Sequence, residues 1–477
     1  MNALEGLQPE KVWKFFEKIS AIPRGSGNEK GISNYIKSYA ENKGLWVYQD
    51  AAGNIIIRVP ASKGYEKSAP VIIQGHMDMV CEKKPESSHD FLKDGISIIH
   101  DGDFVHADGT TLGGDDGIAV AMGLAVADSD DLAHPPVELV FTSDEEIGMT
   151  GARQLDFSLL KGRRVLNLDS EEEGSILAGC AGGLKAEIIL PVEKKKNEND
   201  CYEITITGLK GGHSGADIHL QRASANKLMG RLLSGIEDIC AIVSIDGGKM
   251  DNAIPRTCSA VIAAAKEDAV REAVEEYSRI FNAEFRTTEE NIQIELKKTE
   301  KRDCAFEKKS AENAVALLLL IPYGVLFMSS DIPNLVETSS NLGIVKTVND
   351  EIAFVSAARS SVETRKELIA EQFKTLAMLT GGRLNIKGRY PAWEFKAKSP
   401  LRDTMLSVYE EMFGKKASVS TIHAGLECGI FAENIRGADM VSFGPDIFYI
   451  HTTEEKISVS SVERTWRYLL EVLKKLK

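Results

Sequence analysis

Two adjacent carboxylates, Glu145 and Glu146, close the stretch VELVFTSDEEIG over Val137–Gly148, and an acid pair of this kind is costly to desolvate without a cation. The run Val137-Glu138-Leu139-Val140-Phe141 leading into them reads as a strand of a covered α/β sheet, where ligands bind beyond the carboxyl ends of strands. Taken alone, the pair could equally be the acid-rich start of a helix. Other apparent strand ends carry groups of the same kind. Pro70–Gly75 delivers His76-Met77-Asp78, Arg164–Leu168 ends in Asp169, the turn Leu112–Gly117 presents Asp115 and Asp116, and Tyr449-Ile450-His451-Thr452 comes late in the chain. One histidine among nine is more often a surface or packed residue than a ligand, but five converging ends are a different signal. His76, Asp115, Glu146, Asp169 and His451 supply two imidazoles and three carboxylates, a donor set that suits zinc, cobalt or manganese. Five ligands overfill one open tetrahedral site. With one carboxylate shared, they divide into two ions roughly 3.5–4 Å apart.

Gathering these groups needs a sheet whose strands end on the same side. Helical periodicity over Pro9–Ile19 and Glu29–Glu41 flanks the loop Pro23–Gly27, and strands Trp46–Gln49 and Asn54–Val59 alternate around the turn Ala51-Ala52-Gly53. Strands and helices then alternate through Leu168, which predicts a largely parallel α/β sheet. From Lys185 the texture changes to half-buried alternation, as in Tyr202–Gly208. Helical patterns at Gln221–Leu233, Glu267–Phe281, Glu312–Leu320 and Lys366–Leu379 interleave with strands near 240, 260, 292, 343 and 354. The charged run Glu193–Asp200 reads as a solvated hairpin tip. The expected organisation is an α/β domain from 1–184 and 382–477, with 185–381 inserted as two α+β halves and Gly381-Gly382 marking the return. Helix Arg402–Phe413, strand Met440–Phe443 and helix Val459–Leu476 close the first domain.

Length and composition bound the function class. At 477 residues the chain exceeds a single hydrophobic core, and a net charge of −14 disfavours nucleic acid or an anionic membrane as partner. Seven cysteines without CxxC spacing read as buried free thiols of a reducing compartment. The N-terminus reads as an amphipathic helix rather than a signal peptide, and Ala314–Met328, broken by Pro322 and Gly324, as core rather than a bilayer span. A cytoplasmic enzyme is the expectation.

Taken together and in order, HMDM, GGDDG, SDEEIG, LNLDS and YIHT resemble the di-zinc peptidase family that includes carboxypeptidase G, aminoacylase and carnosinase. The resemblance spans nearly the whole chain. It implies a di-zinc peptidase catalytic domain with a mostly parallel sheet, an inserted α+β lid, and two Zn2+ per chain, with Co2+ or Mn2+ as alternatives. By motif, Asp115 is the bridging ligand, His76 and Asp169 complete one metal, and Glu146 and His451 the other. Glu145 is then the general base for a water shared by the ions, Asp78 holds the second nitrogen of His76, and Asp116 is not a ligand. A cis peptide is expected between Asp115 and Asp116. The implied activity is hydrolysis of Xaa-Xaa dipeptides, Xaa-His among them. Partners are small dipeptide substrates, with no nucleic acid and no membrane, and a homodimer is the candidate assembly.

The insertion carries Gly211–Gly215, Asn252–Pro255 and Ala358-Arg359-Ser360. Without the resemblance these read as a turn, a cap and a surface cation. With it, His213 polarises the scissile carbonyl, His219 being its near alternative, while Asn252 and Arg359 grip substrate. His423 and Gly425, in the loop His423–Gly429, are matched to the substrate carboxylate. An N-acyl amino acid deacylase or a tripeptide aminopeptidase could use the same di-metal site. A two-metal phosphoesterase is disfavoured by the single basic candidate Arg359, and a structural metal module has no use for an uncoordinated Glu145.

Overall fold

Val71–His76 and Val137–Thr142 are buried at every position, as strands covered on both faces must be, and they pair in parallel. In the computed structural model, which describes residues 3–477, they are the centre of an eight-stranded sheet. Its order is Trp46–Gln49, Ile55–Val59, Val137–Thr142, Val71–His76, Arg164–Asn167, Asp439–Ser442, Ser175–Cys180 and Ser418–Ile422. The hairpin 46–59 adds antiparallel at one edge, whereas 71–76 with 164–167, 164–167 with 439–442, and 175–180 with 418–422 are parallel. The register sets His76 beside Thr142 and Gln74 beside Asn167, so the residues that follow these strands emerge at one end of the sheet.

Helices cover one face of the sheet, where their apolar stripes meet its alternate side chains Val71, Ile73, Val137, Leu139 and Phe141. Helix Glu10–Ser20 buries Val12, Trp13, Phe16 and Ile19, and helix Val459–Lys475 buries Val462, Leu469, Val472 and Leu473 in the same core. Helix Gly114–Ala127 is buried all round from Gly117 to Val126, which explains its uniformly apolar sequence. Each such aliphatic side chain contributes about 1.5–3 kcal/mol by leaving water. This compact unit takes in the chain up to Cys180 together with Phe395–Ile422 and Leu426–Lys477.

The second unit, Ala181–Glu394 with His423–Gly425, has its own core. Its nine-stranded antiparallel sheet runs Gln293–Thr299, Asp200–Thr207, Cys258–Ala264, Cys240–Gly247, Val336–Val348, Glu351–Ser360, Gly182–Pro191 and Arg383–Tyr390, with Gly324–Met328 beside 336–348. Glu351–Ser360 alternates between buried and half-buried at every residue, the signature of a sheet with one face covered. Helices Ala225–Gly235, Glu267–Glu284, Lys308–Leu320 and Glu363–Thr380 supply Leu228, Leu232, Phe281, Leu317 and Phe373 to the covering layer. Two groups of strands meet edge to edge through only Asp246–Lys346 and Gly247–Val345, which joins them into one sheet.

Several local readings change. Within the charged run, Lys194–Lys196 is an exposed strand rather than a hairpin tip, because its backbone pairs with Cys304–Phe306. Gly381, at φ 74, caps the helix Glu363–Thr380 and does not end the unit: Arg383–Tyr390 pairs back onto Gly182–Pro191. Leu317 and Leu318 are buried, but Leu319, Leu320, Phe327 and Met328 are exposed, so Ala314–Met328 is only in part core. None of the seven cysteines is in a disulfide, and Cys81 and Cys304 are exposed and Cys240 half-buried rather than buried. Among the described residues no helix is long and apolar enough to cross a membrane.

Candidate metal centre

His76 ends its strand with 1% of its surface exposed. Its Nε2 lies 3.1 Å from Asp115 Oδ1 and 3.6 Å from Asp169 Oδ1, and its Nδ1 lies 3.4 Å from Asp78 Oδ1. The other oxygen of Asp115, Oδ2, is 3.3 Å from His451 Nε2, which in turn lies 3.0 Å from Glu146 Oε1. One carboxylate thus turns its two oxygens toward two different imidazoles, the disposition of a ligand shared by two ions. The Asp115–Asp116 peptide is cis. Three overlapping groups bring ligand atoms within 4.8 Å of one another: Asp115, Glu146 and His451; His76, Glu145 and Glu146; His76, Asp116 and Asp169. Asp116, set aside by motif, therefore lies close enough to ligate. Its Oδ2 accepts the His76 backbone N–H at 3.2 Å, and only a glycine at 75 leaves room for it, since a Cβ there would come within 2.5 Å.

A single buried carboxylate organises the acid pair. Asp78 Oδ1 accepts the Glu145 N–H at 3.0 Å and its Oδ2 the Glu146 N–H at 3.2 Å, while the Ser26 hydroxyl donates to Oδ2 at 2.8 Å. Burial opposes its ionisation, but His76 and these donors draw it down to about 2. The neighbours move the other way. Burial and the adjoining acids push Asp169 up to about 6 and Glu145 well above the carboxylate range. Hydrogen bonds to Asp115 and Glu146 raise His451 to about 10. His76, despite burial, is raised well above an ordinary histidine by Asp115, Asp169 and Asp78. Carboxylates that hold both imidazoles as cations offer a divalent ion the place of those protons, so the donor set fits a metal.

The second unit brings its own group together. Gly212-His213 pairs with Ala253-Ile254, and the Asn252 carbonyl accepts the Ser214 N–H at 2.8 Å. His213 Nδ1 accepts the N–H groups of Gly215 and Ala216 at 3.3 and 3.0 Å, which leaves the hydrogen of the neutral ring on Nε2. Partial burial and Arg359 lower its pKa. A Cβ built on Gly215 would meet His213 Cε1 at 3.1 Å, Arg359 Nε at 3.2 Å and the His423 carbonyl at 3.0 Å, so three of the candidate residues surround one glycine. His423 Nε2 lies 2.7 Å from Ser339 Oγ, and burial, Arg359 and His213 depress its ring to about 3. Arg359 donates to Tyr390 Oη at 3.0 Å. Gly425 follows His423 in the same short excursion, while His219 is exposed in the 3-10 turn Ile218–Leu220.

Sequence reasoning passed over several groups. Glu427, 0% exposed, accepts from Gln74 Nε2 at 2.5 Å and Thr142 Oγ1 at 2.6 Å, and Gln74 Oε1 accepts from Asn167 at 2.6 Å. Burial pushes Glu427 up to about 8 and Glu171 to about 7. An acid inside Leu426-Glu427-Cys428-Gly429-Ile430-Phe431 was the available signal. Ser339 and Tyr390 gave none.

Residues 72–475 match the model of "Peptidase family M20/M25/M40". The chain belongs to this family. It is 38% identical to the cytosol non-specific dipeptidase of Escherichia coli (strain K12) over 482 aligned positions, 100% of this chain and 99% of that protein. Among solved structures, the aminoacylhistidine dipeptidase from Vibrio alginolyticus superposes with a TM-score of 0.94 at 36% identity, covering 99% of this chain and 98% of that one. The aminopeptidase PepT from Bacillus cereus ATCC 10987, at 16% identity and a TM-score of 0.59 over 98% of this chain and 99% of that one, shares the fold. As a member of this family the chain is a peptidase, and the acid and imidazole cluster is its candidate metal-binding site.

Proposed function

We propose that this protein is a cytosolic metallodipeptidase that hydrolyses Xaa-Xaa dipeptides, Xaa-His among them, with two Zn2+ per chain. Asp115 would be the shared ligand, His76 and Asp169 would hold one ion, and Glu146 and His451 would hold the other. The observation that carries the reading is Asp115, whose Oδ1 and Oδ2 address His76 and His451 separately. The full-length relatives whose names specify dipeptidase support the substrate class, and the E. coli relative's name supports the compartment.

Divalent ions held by these residues would supply Lewis acidity for activating a water and polarising a carbonyl. Glu145 takes the proton of the attacking water; the water oxygen bonds to the carbonyl carbon, the C–N bond breaks, and Glu145 returns the proton to the leaving amine. Asp78 keeps the turn of the acid pair and the His76 ring in place. In the second unit His213 carries a neutral Nε2–H suited to polarising a carbonyl oxygen, Asn252 and Arg359 are the candidates for gripping substrate, and His423 and Gly425 those for its carboxylate.

Assaying the purified protein on a panel of dipeptides including β-alanyl-histidine, with tripeptides and N-acyl amino acids alongside, tests this. Dipeptides are expected to turn over at least about tenfold faster in kcat/KM, a transition-state difference of about 1.4 kcal/mol. Preference for N-acyl amino acids or tripeptides would replace this reading with the deacylase or aminopeptidase one.

A further inference from the structure

The glycine-rich turn that aims Asp115 is held from two sides by buried ionic side chains that the reaction does not use. Glu455, 2% exposed, accepts four consecutive backbone N–H groups: Leu112 at 2.8 Å and Gly113 at 3.0 Å on Oε2, Gly114 at 2.7 Å and Asp115 at 3.4 Å on Oε1. Arg24, 1% exposed, donates to the carbonyls of Met77 at 3.0 Å and Asp78 at 3.1 Å and to that of Gly113. A Cβ on Gly113 or Gly117 would collide with its guanidinium, so Arg24 accounts for the first and last glycines of GGDDG.

Glu455 also belongs to the segment that carries His451. Ile447-Phe448 and Lys456–Ser458 pair antiparallel, and the loop between them contains both residues. One short loop therefore presents an imidazole to Asp115 Oδ2 and, four residues later, grips the backbone of Asp115 itself. The grip fixes where the shared carboxylate sits relative to the imidazole it faces. The Arg24 fork ties the same turn to the backbone of Met77 and Asp78, beside His76. Four donors converging on one carboxylate are far more than a surface acid needs, and they satisfy the N–H groups at the start of helix Gly114–Ala127, where Gly113 itself makes no side-chain cap.

We propose that Glu455 is a positioning residue for the metal centre: it locks the Asp115 turn to the His451 loop, with Arg24 as the brace on the opposite side. This rests on the two-ion reading above. Gln at 455 is the informative replacement. It keeps size and shape, but its NH2 faces two N–H donors whichever oxygen it replaces.

The experiment uses the full chain stripped of metal, titrated with Co2+ by calorimetry, with bound ions counted by native mass spectrometry. Glu455→Gln is expected to weaken Co2+ binding about 10–100-fold, the range for losing a group that orients a ligand. Arg24→Lys, which keeps the charge and loses the fork, is expected to move in the same direction and serves if the first variant does not fold. Asp103→Asn is the control. It loosens the neighbouring anchor at Ser458 Oγ (2.6 Å) and the Ser460 N–H (2.9 Å), and is expected to lower Tm while leaving Co2+ affinity unchanged. Wild-type affinity for two ions in folded Glu455→Gln and Arg24→Lys, whatever their Tm, would overturn the proposal and leave the two-ion reading standing. A wild-type chain that takes up only one ion would overturn both.

Discussion

Glu145 and Glu146 carry the same charge on adjacent residues and are held by the same Asp78 carboxylate, yet among the described residues only Glu146 pairs with an imidazole within 4 Å, His451 at 3.0 Å. Their substitutions should therefore diverge. Glu145→Ala is expected to keep its metal and lose about 10²–10⁴-fold in kcat, while Glu146→Ala loses an ion. Metal analysis of both variants followed by turnover at saturating metal separates the cases, and equal metal loss in the two would remove Glu145 from the base role. That such groups cluster was legible in the sequence because several apparent strand ends carried them together, although each alone reads equally well as a helix start or a packed residue. Glu455 and Glu427 were not. Their partners are backbone N–H groups 340 to 343 positions away and side chains 285 and 353 positions away, a relation that no local pattern carries.

Elements were read best where burial dictates the pattern. The parallel strands 71–76, 137–142 and 164–167 and the helices flanking them follow from apolar periodicity alone, whereas the exposed strand Lys194–Lys196 has no hydrophobic signal and exists through backbone pairing. The excursion His423–Gly425, which belongs to the second unit, could not be foreseen from a chain otherwise assigned to the first. It carries a testable pH effect. His423 sits at about 3 in the folded protein against 6.5 when free, so on acidification the unfolded chain binds a proton first. Its contribution to stability is whole above pH 6.5 and is lost progressively as pH falls from 6.5 toward 3. His423→Gln should make the fall in unfolding free energy across that window shallower, by up to about 1.4 kcal/mol per pH unit. Urea titrations at pH 7, 6 and 5 check this; parallel losses in variant and wild type would count against it.

At the scale of the whole chain, two units with separate cores divide the chemistry: the acid and imidazole cluster lies in the first, and the His213, Arg359 and His423 group in the second. Metal should stabilise the first alone. At a free concentration 100 times Kd a bound ion adds about 2.7 kcal/mol, so a chelator is expected to lower one calorimetric transition and leave the other in place. A common shift of both would show that metal stabilisation is not confined to the first unit. The two domain textures were legible in the shift from buried runs to alternation near Lys185, but their limits at Cys180 and Glu394 depend on strand pairing between residues far apart. If two ions at this cluster make the protein a dipeptidase, titrating chelator-stripped protein with Zn2+ while following hydrolysis of one dipeptide shows it most directly. No turnover is expected without metal, and full activity as the second equivalent is bound; full turnover by the metal-free chain, or a plateau at one equivalent with no second ion taken up, would show that the protein is not a two-ion dipeptidase.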